Sequence, residues 1–164
     1  MPLIQTPVTS AKRPEIVQRN ASNIIEHIAK IRADEWGGID FWTSRITAYL
    51  ELNHHPQQAL DPRIIYVAVD GKQVIGFVAG HLTRRLNCDG ELQWINVIDE
   101  YRSTGVASSL LKVMAQWFIG QKAPKVCVNA DAENATAHRF YQRYGAKVIS
   151  PHWLMWTNIS VVLK

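Results

Sequence analysis

The sequence predicts a three-layer α/β domain, and three patterns indicate this fold class. Apolar residues recur at helical spacing over residues 15 to 33 and 39 to 52, which predicts two N-terminal helices. Residues 64 to 82 then read as two strands of a hairpin. A strand, a helix and a further strand follow over residues 91 to 130. That order predicts one parallel β-α-β crossover in a mostly antiparallel, mixed central sheet flanked by about four helices.

Turn and loop signals separate the elements of the first half. The two helices are joined at Gly37-Gly38, and residues 53 to 62 (NHHPQQALDP) are loop-like. The pair Asp70-Gly71 is typical of a tight turn between the two strands of the predicted hairpin. A third strand is predicted over about residues 91 to 98.

Helical spacing returns at Val106 and ends near Gly120. A core strand follows at residues 125 to 130, and residues 134 to 144 form a short helix ended by Gly145. The remainder, interrupted by a proline, predicts one or two closing strands.

Composition favours one globular domain over residues 1 to 164, with a net charge of +4. The two cysteines are not spaced as a metal or disulfide motif, and the start of the chain is unlike a signal peptide. These features predict a cytoplasmic protein that binds no metal and no membrane. Because no basic stripe with interleaved aromatics occurs, nucleic-acid binding is not expected either.

Residues 102 to 107 (RSTGVA) place small side chains where a strand gives way to a helix. A helix N-terminus has unpaired N–H groups and a positive dipole end, which suit a phosphate. Gly105 and Ala107 let an anion approach the backbone, and Arg102 can add positive charge. The alternative is a simple helix cap. The turn is neither a P-loop nor a dinucleotide fingerprint.

Two motifs together resemble one family. INVIDEYRSTGVASSLL resembles the acetyl-coenzyme A signature of the GNAT superfamily of N-acetyltransferases, and NATAHRFYQRYGAKVI (134 to 149) is similar to the family's second motif. The resemblance covers roughly residues 64 to 150, and the predicted order of elements fits the family fold. The first 60 residues match only in kind, because no first strand can be placed before Pro14.

The resemblance implies an acetyl-CoA site along the third strand and the signature turn. The pyrophosphate would lie on the turn and the pantetheine arm along the strand, with the N–H of Val97 polarising the thioester carbonyl. Asn134 corresponds to a position that contacts the cofactor arm. The implied cofactor-binding residues are Ile95, Asn96, Val97, Arg102, Ser103, Thr104, Gly105, Val106, Ala107 and Asn134.

Acetyl transfer to an amine needs a base, because a free alkylamine is mostly protonated at neutral pH. Some family members carry a glutamate six residues before the equivalent of Val97, which here is Glu91. Strand alternation places Glu91 on one face with Gln93, Ile95 and Val97. The alternative is an exposed carboxylate at a strand end. A second position that the family uses for the base is Asn129 here, which cannot take a proton.

The leaving thiolate needs an acid, and Tyr141 matches the family's tyrosine seven residues after Asn134. Its alternative is a core aromatic. Cys127 could suggest a covalent acetyl-enzyme, but no histidine partner is placed by sequence, so direct transfer in a ternary complex is favoured.

The acceptor is expected to be a small-molecule amine or a peptide. Residues 33 to 42 (ADEWGGIDFW) mix carboxylates with aromatics, which would suit a cationic amine, although packing in the core explains the aromatics equally. Arg84-Arg85, and Arg139 with Arg143, could meet the ribose phosphate of the cofactor, but they are expected to face solvent. A catalytically inactive acyl-CoA-binding sensor or regulatory module is the alternative to an enzyme, and the sequence leaves monomer and homodimer open.

Overall fold

Seven strands form one mixed sheet in the order β1-β2-β3-β4-β5-β7-β6. The computed structural model describes residues 15 to 18, 22 to 51 and 59 to 164. The strands are β1 (Glu15–Gln18), β2 (Ala59–Asp70), β3 (Gln73–Thr83), β4 (Gly90–Val97), β5 (Val126–Asn129), β6 (Lys147–Ser150) and β7 (Trp153–Trp156). Neighbouring strands are antiparallel except for β4 and β5, which are parallel.

The described part of the chain contains four α-helices: α1 (Ser22–Trp36), α2 (Ile39–Leu50), α3 (Val106–Gly120) and α4 (Ala135–Arg143). Helix α3 connects the two parallel strands, so the predicted crossover is confirmed. Within these residues no helix is both long enough and apolar enough to cross a membrane.

The helices cover opposite faces of the sheet, which gives the three predicted layers. On one face, α1 and α2 bury an apolar cluster that includes Ile28, Ile46 and Trp94. On the other face, α3 and α4 bury a larger cluster that includes Leu110 and Tyr141. Each methylene group that is buried on folding contributes about 0.8 kcal/mol. These two clusters are therefore the main source of stability.

An irregularity in β4 changes which face its side chains meet. Ala79 lies opposite Trp94, but the next residue, Gly80, lies opposite Leu92, so Gln93 is an extra residue in the ladder. This β-bulge sends Leu92 to the α3 face and Trp94 to the α1 face, although two residues apart would normally share a face.

The sheet opens beyond this bulge. The parallel ladder of β4 and β5 ends at the pair Leu92 and Val128, whereas β4 continues to Val97. Residues 93 to 97 of β4 therefore line a gap between β4 and β5, which pair only up to Leu92 and Val128.

Two predicted boundaries are wrong. Residues 15 to 18 were expected to begin the first helix but form β1, because pairing with β2 satisfies their backbone groups. Residues 59 to 62 were expected to be loop but begin β2. The rest of that predicted loop, at 53 to 58, and the region before residue 15 lie outside the described residues.

Gly90 is the position where β4 passes closest to α3. A Cβ at Gly90 would lie 2.4 Å from a ring carbon of Phe118. We expect Gly90→Ala to lower the free energy of unfolding by about 1–3 kcal/mol, because the ring has to move within a filled core. Denaturant unfolding measures this effect.

Gly120 provides the matched control, because nothing lies within 4 Å of its Cβ position. Gly120→Ala should leave stability unchanged or slightly raised. In a Phe118→Leu background the penalty of Gly90→Ala should shrink, since the two sites are coupled. An equal penalty in both backgrounds would contradict the packing argument.

Candidate functional site

A cleft of about 910 Å³ passes between β4 and β5 at the gap in the sheet. Residues from both faces line it, so the cleft connects the α1 and α2 side with the α3 and α4 side. Its lining includes Arg32, Glu35, Trp36, Arg85, Glu91, Gln93, Trp94, Ile95, Asn96, Asn129, Asp131, Glu133, Asn134 and Tyr141.

Backbone donors of β4 point into this gap. Ile98 N–H donates to Ile75 O at 2.9 Å, which marks that pair as hydrogen-bonded in the β3–β4 ladder. Because such pairs alternate along an antiparallel ladder, the N–H groups of Ile95 and Val97 point away from β3, toward the side where pairing with β5 has ended. Gln93 adds a buried Oε1 without a hydrogen-bond partner. An extended amide-bearing arm fits these groups.

The signature turn precedes α3 and has an unusual backbone. Gly105 has φ +92° and caps the helix, and nothing lies within 4 Å of its Cβ position. Ser103 also has a positive φ, of +63°, and the Thr104 hydroxyl donates to Tyr101 O. The first N–H groups of α3 at Val106 and Ala107 therefore lie beside an open surface, as an anion site requires.

Arg102 connects this turn to α1. Its Nη2 donates to Glu35 Oε1 at 2.7 Å, and its Nε donates to Val97 O at 3.2 Å and lies 3.2 Å from Asp99 Oδ1. The Arg102 guanidinium is thus already paired with carboxylates. Arg102 and Val97 line a second cavity, between α1 and the β2–β3 hairpin, and do not line the main cleft.

Glu91 belongs to a buried series of polar side chains that contact one another. Its Oε1 accepts a hydrogen bond from Arg85 Nε at 3.1 Å and lies 3.4 Å from His81 Nε2. The other ring nitrogen of His81 is 2.7 Å from the Tyr49 hydroxyl. Burial raises the pKa of the Tyr49 phenol, so Tyr49 keeps its proton and donates it in the hydrogen bond to His81 Nδ1. The other ring nitrogen, Nε2, faces Glu91. Both contacts use Oε1, which leaves Oε2 to take a proton.

The structure corrects two expectations, on the face of Glu91 and on Arg85, and excludes the alternative reading of Glu91. Glu91 does not share a face with Ile95 and Val97, because the bulge at Gln93 reverses the alternation between them. Glu91 is also not an exposed strand-end carboxylate, since only 4% of its surface is exposed. Arg85 does not face solvent but contacts Glu91 and lies 4.9 Å over the Trp153 ring.

Tyr141 lies on the α4 side of the cleft with 5% of its surface exposed. It packs edge-on against Trp156 and Phe140, so it is also part of the core. Burial raises the pKa of the Tyr141 phenol, and the positive charge of Arg32 partly offsets this rise. The phenol is therefore protonated at neutral pH and able to donate.

Asn134 caps α4, because its Oδ1 accepts a hydrogen bond from Ala137 N–H at 3.1 Å. It also lines the cleft, so its amide nitrogen is the group that can contact a ligand. Asn129 lies at the end of β5 and lines the same cleft.

Arg32 is a cleft residue that the sequence analysis did not single out. Its guanidinium carbon lies 4.1 Å from the ring centroid of Trp36 and 4.3 Å from that of Trp42, and its Nη1 donates to Asn96 Oδ1 at 2.7 Å. The signal in the sequence is a lone cation on the otherwise apolar face of α1. Carboxylates among aromatics were expected in residues 33 to 42, but a cation of the protein itself already lies against these rings.

The structure brings five of the twelve predicted site residues to one cleft. Glu91, Ile95, Asn96, Asn134 and Tyr141 line it together. The turn at residues 103 to 107 lies outside the cleft, beyond the end of β4. Arg139 and Arg143 are exposed as expected, and the two histidines of the predicted loop lie outside the described residues.

Cys127 is not suited to be a nucleophile. It is fully buried, and a hydrogen bond with Cys88 together with burial raises the pKa of its thiol. A reactive cysteine needs the opposite shift. Among the residues that the structure describes, no three histidine, cysteine or carboxylate side chains are grouped as a metal site.

The open sheet, the bulge and the signature turn agree with a comparison to protein families. Residues 25–146 match the sequence model of the Acetyltransferase (GNAT) family. The chain therefore belongs to the GNAT family of acetyltransferases. Comparison with curated protein sequences gives no significant match.

Solved structures of acetyltransferases share this fold. A GNAT-family protein from Desulfovibrio desulfuricans has a TM-score of 0.74 and 11% identity, with 89% of this chain and 99% of that one covered. The aminoglycoside N-acetyltransferase AAC(6')-Iy in complex with CoA has a TM-score of 0.67 and 21% identity, covering 84% and 92%. The NatC complex bound to Gag peptide and CoA has a TM-score of 0.60 and 17% identity, covering 86% and 95%. At these identities the likeness bears on the fold.

The Arg85–Glu91 pair makes a testable contribution to stability. Arg85→Met should lower the free energy of unfolding at pH 7 by about 2–3 kcal/mol, because it leaves the buried Glu91 carboxylate without its counter-charge. Urea unfolding measures the loss. In the double variant Arg85→Met with Glu91→Gln, much of it should be recovered. Failure of the second substitution to restore stability would show that pairing with Glu91 does not account for the loss.

Proposed function

We propose that this protein is an N-acetyltransferase that moves the acetyl group of acetyl-CoA to a primary amine by direct attack in a ternary complex. The observation that carries the proposal is the cleft through the open sheet. It has a buried carboxylate on one side, Glu91, and a buried phenol on the other, Tyr141. Acetyl-CoA supplies an activated acetyl group as a thioester.

The donor would lie along β4. Its pyrophosphate would contact the N–H groups at the start of α3, and its arm would follow the outward-facing N–H groups of Ile95 and Val97. One of these donors would stabilise the negative charge that develops on the thioester oxygen. The related structures of AAC(6')-Iy and NatC contain CoA, which supports this donor.

Glu91 and Tyr141 would divide the proton transfers. Glu91 takes a proton from the ammonium form of the acceptor, so that a neutral nitrogen can bond to the carbonyl carbon. As the carbon–sulfur bond breaks, Tyr141 donates its phenolic proton to the sulfur. The raised pKa keeps Tyr141 protonated before the reaction. Because it also makes the phenolate a stronger base than the thiolate, the phenolate takes back the proton that the nitrogen loses on becoming an amide.

A thiol-release assay tests the proposal. Acetyl-CoA would be offered with polyamines, amino acids, aminoglycosides and peptides, while calorimetry measures CoA binding. AAC(6')-Iy and NatC represent the small-molecule and peptide ends of this panel. Binding of CoA with thiol release on at least one amine supports the enzyme. Tight binding without release on any of them would instead support the acyl-CoA sensor.

Tyr141→Phe should lower kcat by about 10²–10³-fold, because it removes the general acid but keeps the ring. The dissociation constant for acetyl-CoA should change less than about threefold, since the hydroxyl would act on the leaving thiolate and not in ground-state binding. Steady-state kinetics and calorimetry check the two values. Tyr144→Phe is the matched control, because that hydroxyl bonds Ser108 Oγ at 2.6 Å outside the cleft. Unchanged turnover of Tyr141→Phe rules out the acid role.

Glu91→Gln should lower kcat by about 100-fold at pH 7, since no carboxylate then takes the amine proton. The difference from the unsubstituted protein should narrow as the pH approaches the amine's own pKa near 10, where the acceptor is already neutral. A pH–rate profile between pH 6.5 and 9.5 measures this convergence. A constant ratio across that range would assign Glu91 a structural role.

A further inference from the structure

The two faces of the sheet give the donor and the acceptor separate entrances to the cleft. The signature turn and α3 lie on one face, so a donor held there reaches the gap from that side. The acceptor then has to enter from the face covered by α1 and α2. The residues of the cleft on that face include Arg32, Trp36, Trp94 and Asn96.

Most charges on the acceptor face are already paired. Arg85 and Glu91 contact each other, and Glu35 accepts a hydrogen bond from Arg102. Arg32 differs, because no carboxylate of the described residues lies within ion-pair distance of its guanidinium, and the charge of Glu35 acts on it only from farther away. Its contacts are the neutral amide of Asn96 and the faces of the indole rings.

Arg32 is also poorly satisfied as a hydrogen-bond donor. Among the residues that the structure describes, its buried Nε has no hydrogen-bond partner, and only Nη1 donates to an acceptor. A guanidinium carries five N–H donors, and its planar fork matches a carboxylate. Stacking between Trp36 and Trp42 fixes the plane of the fork and limits the entropy that binding would cost.

We propose that Arg32 binds an anionic group of the acceptor, so that the acceptor is a primary amine that also carries a carboxylate, as an α-amino acid does. This inference rests on the proposed acetyltransferase function and specifies its substrate class. The carboxylate pairs with the guanidinium edge, and the amine extends from it toward the gap where Glu91 lies. The exposed Trp36 ring, 52% accessible, offers an apolar surface to the acceptor's side chain.

The test uses matched acceptors that differ only in the carboxylate. Glycine, methionine, phenylalanine, lysine and glutamate are each compared with their primary amides in the thiol-release assay. The amides have the less basic amine, so intrinsic reactivity at neutral pH favours them. We expect at least one amino acid to exceed its amide in kcat/KM by about tenfold or more.

Variants of Arg32 then distinguish binding of the acceptor's carboxylate from other roles of Arg32. In Arg32→Met we expect kcat/KM for that amino acid to fall about 30-fold or more, while kcat/KM for its amide changes less than about threefold. Arg32→Lys keeps the positive charge but lacks the planar fork. Its kcat/KM for the amino acid should lie between those of the unsubstituted protein and Arg32→Met. Arg45→Met is the matched control, since Arg45 lies 4.9 Å over the Phe41 ring and outside the cleft.

Several outcomes overturn the inference. An equal loss on the acid and the amide in Arg32→Met would mean that Arg32 serves Tyr141 or the fold instead of the carboxylate. Thiol release only with polyamines, aminoglycosides or peptides would reject the substrate class and leave the acetyltransferase proposal intact. CoA binding without thiol release on any amine would reject both. Retained CoA affinity in Arg32→Met would confirm that the variant is folded and that Arg32 lies on the acceptor side.

Discussion

The cleft and the proposed donor site depend on the point where β4 stops pairing with β5. Up to Leu92 the two strands form an ordinary parallel ladder, and beyond it β4 continues alone to Val97. An unpaired strand edge inside a protein is costly because its N–H and C=O groups lose water without gaining partners. This cost supports the proposed role of the open edge in binding. The bulge at Gln93 turns Trp94 toward α1 while Leu92 stays under α3.

Buried polar side chains are concentrated on β3 and β4, beside the gap in the sheet. Four buried polar residues, His81, Thr83, Glu91 and Asn96, all lie on β3 or β4. Three of them hold charged residues of the cleft: His81 faces Glu91, Glu91 pairs with Arg85, and Asn96 binds Arg32. The core of the sheet thus supports the walls of the cleft with hydrogen bonds where an apolar core would have none.

Regular patterns in the sequence predicted the regular parts of the fold. Helix α3, the hairpin of β2 and β3 and the parallel crossover follow from periodicity and turn residues alone. The face of Glu91 could not be predicted by alternation, because a bulge leaves no mark in a strand as short as GELQWINV. Strand β1 was hidden because Ile16 lies eight residues before Ile24 and so also fits a helical period, and only its pairing with β2 decides between the two. The role of Arg32 depends on rings from three elements, which no local pattern brings together.

Glu35 connects the residues beside the signature turn with those around Arg32. Its Oε1 accepts hydrogen bonds from Arg102, beside the signature turn, and from Asn96 Nδ2 at 3.4 Å, which in turn holds Arg32. One carboxylate oxygen is thus shared between a residue beside the signature turn and a residue of the cleft. Under the proposed function, a donor that draws Arg102 toward itself would change the field at Arg32, and thermodynamic linkage would make the reverse effect equal in free energy. This single side chain would then couple donor and acceptor binding, so that the affinity for either depends on whether the other is bound.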